Sequence, residues 1–294
     1  MDRLLHSLLS LSSPTSEENA IHSALSTYLH DIGDIEIDSM QNFTCTINTH
    51  LPCSIMLNAH SDEVGLQVMF IDANGFIYCR RNGFIDGITL PGSTVTVLDD
   101  RGSITGVIGK RPIHFPSEND QISIKVEDLW IDCGFESQAE AEQHVRIGDC
   151  VVFSSNIREE RNKIISKGLD DKIGCYVISK AIKQLSNLNL QSNICACYSS
   201  QEEVGGRGSK VAATRINPSW AICVDVGIAT DIPSLSEQKY GSITLGKGPV
   251  LNINCDNNKE LYNILLNVAT KNNIPIQQYC TPSSTGGSDA SIIQ

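Results

Sequence analysis

Seven side chains, in four short clusters, have the types and spacing for metal chemistry: His60 and Asp62, Asp170 and Asp171, Glu202 and Glu203, and Asp225. In an extended segment residues i and i+2 share a face. The Asp62 carboxylate can therefore reach the far ring nitrogen of a metal-bound His60 and fix its tautomer. Glu202-Glu203 is followed by Gly205, Gly206 and Gly208, which let the chain turn sharply. Paired carboxylates with one imidazole suit a dinuclear site, in which one carboxylate bridges two ions about 3.5–4 Å apart while another acts on water. Each cluster also has an ordinary reading. His-x-Asp can be a simple hydrogen bond, Asp170-Asp171 a helix cap, and Glu202-Glu203 a solvated pair before a turn. Asp225 is harder to place that way, because an isolated carboxylate ending an apolar strand is costly without a partner.

The elements that must carry these residues are legible in outline. SIMLNAH (54–60) reads as a buried strand ending in His60, ICACYSS (194–200) as a strand leading to Glu202, and WAICVDV (220–226) as a strand ending at Asp225. Leu169–Leu185 reads as a helix that opens on Asp170-Asp171, and GSKVAATRI (208–216) as another. IEID (35–38) and FTCTIN (43–48) are strand signals. The N-terminal stretch MDRLLHSLLSLSSP reads as a short amphipathic helix. Thr15-Ser16-Glu17-Glu18 has the spacing of a capping box, opening a helix in which Ile21, Leu25, Tyr28 and Leu29 repeat until Gly33. From 64 to 165 the texture is all-β, with hairpin turns expected at Asp72-Ala73-Asn74-Gly75 and Asp99-Asp100-Arg101-Gly102. LWIDCGF (129–135), a short helix around Ala139–Glu142 and VRIGDCVVF (145–153) complete that region. The expectation is an α/β domain with a mixed sheet, residues 1–63 and 166–294, interrupted by a β module at 64–165.

Composition narrows the function. With 22 Lys+Arg against 34 Asp+Glu the net charge is −12, the opposite of what a nucleic-acid binder needs. No apolar run reaches the roughly 18 residues of a membrane span. Eleven cysteines without a C-x-x-C pair, most of them in strand-like runs, read as buried thiols in a reducing cytoplasm.

The segments AHSDEVGLQV (59–68), LPGSTVTV (90–97), GVIGKRPIH (106–114), LWIDCGF, GLDDKIGCYV (168–177), SSQEEVGGRGSKVAA (199–213), VDVGIATDIP (224–233), LGKGP (245–249) and GGSDA (286–290) together resemble the TET-type metalloaminopeptidases, some of which carry the name endoglucanase. The resemblance runs in order along nearly the whole chain. It implies a zinc-peptidase-like α/β domain, a β-barrel-like dimerisation domain at 64–165, and assembly through dimers into dodecamers. It implies His60 and Asp225 as ligands of one metal, Asp170 as the bridging carboxylate across a cis Asp170-Asp171 peptide, Glu203 as a ligand of the second metal, Glu202 as the general base and Asp62 as the orienter of His60. It further implies two Zn²⁺ or Co²⁺ ions per subunit and cleavage of residues from peptides with a free N-terminus, and it places Asp289 near the site.

In the resembling family a further histidine after the GG-x-D-A motif completes the second metal site. The seven histidines here, 6, 22, 30, 50, 60, 114 and 144, all precede that motif, so the sequence is expected to be a shortened version of an active ancestor. A catalytically impaired assembly or regulatory subunit is the second reading. A glycoside hydrolase is the third, although two carboxylates without a metal would be its usual equipment.

Overall fold

The computed structural model describes residues 1–51, 54–99, 102–115, 124–280 and 288–294. Asp100 and Arg101 of the second expected hairpin turn, and Gly286 and Gly287 of GGSDA, lie outside the described residues. In chain order the helices are α1 (Arg3–Ser10), α2 (Asn19–Leu29), α3 (Gln138–Ala141), α4 (Leu169–Leu185), α5 (Arg207–Ile216), α6 (Glu237–Tyr240), α7 (Lys259–Lys271) and α8 (Asp289–Ile293). The strands are β1 (Asp34–Ile37), β2 (Phe43–Ile47), β3 (Ser54–His60), β4 (Gly65–Ile71), β5 (Ile77–Asn82), β6 (Thr94–Leu98), β7 (Ile104–Gly109), β8 (Trp130–Asp132), β9 (Cys150–Phe153), β10 (Arg158–Glu160), β11 (Lys163–Ile165), β12 (Asn193–Ser199), β13 (Trp220–Cys223), β14 (Val250–Asn252) and β15 (Gln277–Tyr279). Among the described residues no helix is long and apolar enough to cross a membrane.

The chain divides into two compact units. One comprises 1–28, 61–172 and 200–205; the other comprises 29–60, 173–199 and 206–294. The first contains a closed barrel in the order β4-β5-β8-β7-β6-β9. Its interior is filled by alternate residues of these strands, among them Leu66, Val68, Ile77, Val95, Val97, Ile108, Ile131 and Val151. The β4–β5 hairpin turns at Gly75, whose φ of +88° suits a residue without a side chain, and the Asp72 carboxylate accepts the amides of Asn74 and Phe76. The β10–β11 hairpin was not visible in the sequence pattern, because Arg158-Glu159-Glu160 is exposed throughout and has no apolar alternation.

The second unit contains a mixed five-stranded sheet in the order β1-β2-β12-β3-β13. The neighbours β12, β3 and β13 are parallel, whereas β1–β2 and β2–β12 are antiparallel. Strands β3 and β12 are buried along most of their length, which is why both read as near-continuous apolar runs. Phe43 of β2 meets Tyr198 of β12 edge-on, and the Tyr198 hydroxyl pairs with Ser179 of α4 at 2.6 Å. Because β12, β3 and β13 run the same way, their carboxyl ends lie at one edge of the sheet, where an α/β sheet gathers functional residues.

Two expectations need correcting. The Thr15–Glu18 segment is not a capping box. α2 starts at Asn19, the Thr15 hydroxyl donates to Asp62 at 2.7 Å, and the Glu18 carboxylate accepts from the Ser16 amide at 2.9 Å. The third predicted strand stops at Cys223, because the Val224 amide makes the last bond to β3, at the Asn58 carbonyl. Asp225 thus lies beyond the strand and is exposed, and the argument from a buried carboxylate does not apply to it.

Candidate metal centre

His60 is the last residue of β3, in register with Ser199 of β12, and is buried. Its carbonyl accepts the Cys175 thiol of α4 at 3.1 Å, which fixes the backbone from which the imidazole projects. Its Nε2 lies 3.8 Å from a carboxylate oxygen of Asp225, two residues past the end of β13. Asp225 also accepts the amide of Val226 at 2.7 Å. Asp170 sits in the first turn of α4, where the backbone leaves helical geometry at Asp170 and Asp171 and the peptide between them is cis, as the resemblance implies.

One ligand atom each from His60, Asp170 and Asp225 lie within 4.8 Å of one another. Nitrogen and oxygen ligands at about 2.0–2.2 Å from one ion are at most about 4.4 Å apart, so side-chain adjustments of a fraction of an ångström would bring all three onto a single divalent cation. The donor set fits as well: one imidazole nitrogen and two carboxylates suit zinc and its neighbours, and the carboxylates reach solvent while the histidine does not. Glu203 is not in this group of three.

The half-buried Glu202 and Glu203 follow β12, and their position is set through their backbone. The wholly buried Asp62 carboxylate accepts the Glu202 amide at 3.0 Å and the Glu203 amide at 3.3 Å as well as the Thr15 hydroxyl. The sheet edge and the loop after it thereby place four of the expected residues. Glu203 passes close to Gly83, where an added Cβ would come within 3.4 Å of its carboxylate. Gly83 has a φ of +94°, so both geometry and space favour glycine there.

Several neighbours escaped sequence reasoning. Glu63 is buried, and its carboxylate accepts the Ser13 amide at 2.9 Å, Lys167 Nζ at 2.7 Å and Lys172 Nζ at 3.0 Å. Burial alone would raise its pKa, but the two ammonium groups and the hydrogen bonds outweigh that and hold it below the ordinary carboxylate value. Lys172 has no solvent exposure and also donates to the Leu11 carbonyl at 2.8 Å. The signal for this network was Glu63 directly after Asp62, with two lysines flanking Asp170-Asp171. Asp289, placed near the site by resemblance alone, is buried and accepts from Asn58 Nδ2 at 2.7 Å and Ser199 Oγ at 2.5 Å. Asn58 is two residues before His60 and Ser199 is its register partner, so Asp289 ties together the strand ends that carry the histidine.

Comparison with known proteins identifies the family of this chain. Residues 42–294 match the family described as M42 glutamyl aminopeptidase. The lysyl aminopeptidase of Pyrococcus furiosus is 32% identical over 286 residues, covering 95% of this chain and 80% of that protein. Among solved structures, the TET aminopeptidase of a marine sediment Thaumarchaeota archaeon superposes with a TM-score of 0.91 at 27% identity, over 99% of this chain and 83% of that one. The TET1 peptidase of Pyrococcus horikoshii, described as assembling into a tetrahedron or a large octahedral shell, gives 0.87 at 31% identity, over 98% and 86%. A family match over most of the sequence, a relative 32% identical over 95% of this chain, and the shared fold make this chain a peptide-bond hydrolase that belongs to the M42 family of aminopeptidases.

Proposed function

We propose that this chain removes N-terminal residues from peptides with a free α-amine, using two divalent ions and Glu202 as the general base. The observation that carries this reading is the convergence of His60, Asp170 and Asp225. His60 and Asp225 would hold one ion, Asp170 would bridge, and Glu203 would serve the second. When bound, Zn²⁺ or Co²⁺ supplies Lewis-acid polarisation of the scissile carbonyl and lowers the pKa of water. The chain's own residues do the rest. Glu202 accepts the proton of the attacking water and returns it to the departing amine. Asp62 fixes His60 and, through the amides of Glu202 and Glu203, the base itself. A glycosidase would need a pair of carboxylates set apart for sugar chemistry, and the imidazole in this cluster speaks for metal ligation instead.

We extend two further features to this chain. The barrel-containing segment 64–165 is read as a dimerisation domain inserted into a peptidase domain of 1–63 and 166–294, with dimers and dodecamers as the assembled forms; the assembly described for the P. horikoshii TET1 peptidase supports this. A reducing cytoplasm suits the buried thiols of Cys45 and Cys79, whose pKa burial pushes up to about 12, leaving them unreactive.

The test is hydrolysis of aminoacyl-p-nitroanilides by chelator-stripped protein to which Zn²⁺ or Co²⁺ is returned. Activity should depend on the added metal, vanish with an N-acetylated substrate and fall at least 1,000-fold in Glu202→Gln. Hydrolysis that is indifferent to chelator or to N-acetylation would refute the reading.

A further inference from the structure

We propose that Glu63 and Lys172 are positioning residues for Asp170, holding through their ion pair the first turn of α4 on which that carboxylate sits. The inference rests on the reading of Asp170 as a metal ligand given above. Asp170 lies between Gly168 and Lys172, and the Lys172 amide closes this stretch on the Gly168 carbonyl with a long bond of 3.4 Å. Within it the backbone is non-helical, with φ −81° and ψ 110° at Asp170 and φ −118° and ψ 38° at Asp171. A turn of this kind is not fixed by a regular helical ladder. Side chains outside it supply the hold. The buried Lys172 ammonium donates to the Glu63 carboxylate at 3.0 Å and to the Leu11 carbonyl at 2.8 Å. Glu63 is itself locked in place: its amide donates to the Ser13 carbonyl at 2.8 Å, and its carboxylate accepts the Ser13 amide at 2.9 Å. Lys167, on the other side of Asp170 in the chain, donates to the same carboxylate at 2.7 Å.

One carboxylate thus receives an ammonium group from each side of Asp170. The packing around it leaves no slack: at Gly168, with φ +60°, an added Cβ would overlap the Glu63 carboxylate and lie within 2.9 Å of Lys172 Nζ. Stability alone is a poor account of such a cluster. Desolvating the charges offsets most of the attraction between them, and apolar side chains of similar volume would pack as well or better. What the ions add is direction. Each ammonium must meet its oxygen, so the 167–172 backbone takes one placement against residues 11–13. Asp62, the chain neighbour of Glu63, holds the amides of Glu202 and Glu203, so two consecutive carboxylates place two of the acidic segments of the proposed site.

The experiment compares wild type with Lys172→Met, which removes the buried ammonium, and with Glu63→Gln/Lys172→Met, which removes its counter-charge as well while keeping an acceptor for Ser13 and Lys167. Ile131→Val, in the barrel core, controls for general loosening. Zn²⁺ is titrated by calorimetry into each chelator-stripped protein, and hydrogen exchange is read by mass spectrometry on the metal-free forms. Both Lys172 variants should bind Zn²⁺ about 10–100-fold more weakly than wild type. Their kcat should fall at least tenfold with KM within threefold, and amides 169–173 should exchange at least tenfold faster with β4 unchanged. If Lys172 served only to balance the Glu63 charge, the double variant would regain Zn²⁺ affinity and kcat to within threefold of wild type, and the proposal would be overturned. Unchanged exchange at 169–173, or the same Zn²⁺ loss in Ile131→Val, would overturn it as well. Asp170→Ala tests the underlying reading by itself: unchanged Zn²⁺ affinity in that variant refutes Asp170 as a ligand, whereas the exchange data accept or reject the hold of Glu63 and Lys172 on the turn in either case.

Discussion

The carboxylate of Asp62 accepts the backbone amide of Glu202 at 3.0 Å, joining residues 140 positions apart in the sequence. The aspartate two residues after His60, the proposed metal ligand, therefore also holds the backbone of Glu202, the proposed general base. Substituting it should disturb two parts of the site at once.

Asp62→Ala leaves the Thr15 hydroxyl and two backbone amides without their buried acceptor. A loss of stability on the order of 3 kcal/mol follows from unsatisfied groups of this kind. Urea unfolding should show it, and kcat should fall at least 100-fold. Asp62→Asn, which keeps one carbonyl acceptor, should retain a larger part of the stability than of the activity.

Glu18 and His22 give a compensated pH response. Burial pushes Glu18 from its ordinary 4.5 up to about 7; the Ser16 amide works against the shift and the neighbouring Asp62 adds to it. Burial lowers His22 from 6.5 to about 4. Between pH 4.5 and 6.5 the folded chain holds one proton on this pair, on Glu18, while the unfolded chain also holds one, on His22. Their joint contribution to the slope of stability against pH is then close to zero. Glu18→Gln removes the folded-state proton, so relative to wild type its stability should rise by about 1.4 kcal/mol per pH unit across that window. His22→Asn should show the opposite slope, losing relative stability as pH rises. Urea midpoints at pH 4.5, 5.5 and 6.5 decide it, and parallel curves for all three proteins would contradict the assignment.

The Glu63, Lys167 and Lys172 network should be sensitive to loss of one member. Lys172→Met leaves a buried carboxylate with one ammonium partner, and a destabilisation of about 3 kcal/mol is expected. The Glu63 pKa lies below its unfolded value, so its contribution is present above pH 4.5 and is lost as pH falls through the folded value. The stability gap between wild type and Glu63→Gln should accordingly narrow on acidification below pH 4.5.

Asp289→Ala removes the acceptor of both Asn58 Nδ2 and Ser199 Oγ beneath His60. A loss of roughly 2–4 kcal/mol is expected by thermal or urea unfolding. Asp289→Asn should be milder, because an amide oxygen can still accept one of the two bonds.

Much of the scaffold was legible because it depends on local pattern. α4 spans Leu169–Leu185 as its periodicity predicts, and β3 ends at His60 as its apolar run predicts. The alternating strands of 64–165 close into a barrel. What escaped depends on contacts between distant segments. Thr15-x-x-Glu18 has the same residue types in a capping box and in a segment whose Thr15 hydroxyl donates to Asp62 and whose Glu18 accepts the Ser16 amide, and only the fold tells them apart. Asp225 belongs to the irregular segment after β13 and is exposed, because pairing with β3 ends at Val224, a boundary that apolar composition does not mark. Glu63 and Lys172 were passed over because each looks like an ordinary surface charge until its partners are in place.

The most direct measurement is calorimetric titration of Zn²⁺ into chelator-stripped wild-type protein and into His60→Ala, with folding of both checked by circular dichroism. If His60, Asp170 and Asp225 hold the catalytic cation, wild type binds and His60→Ala loses at least about 100-fold in affinity. Equal Zn²⁺ affinity in a folded His60→Ala protein would contradict the metal centre.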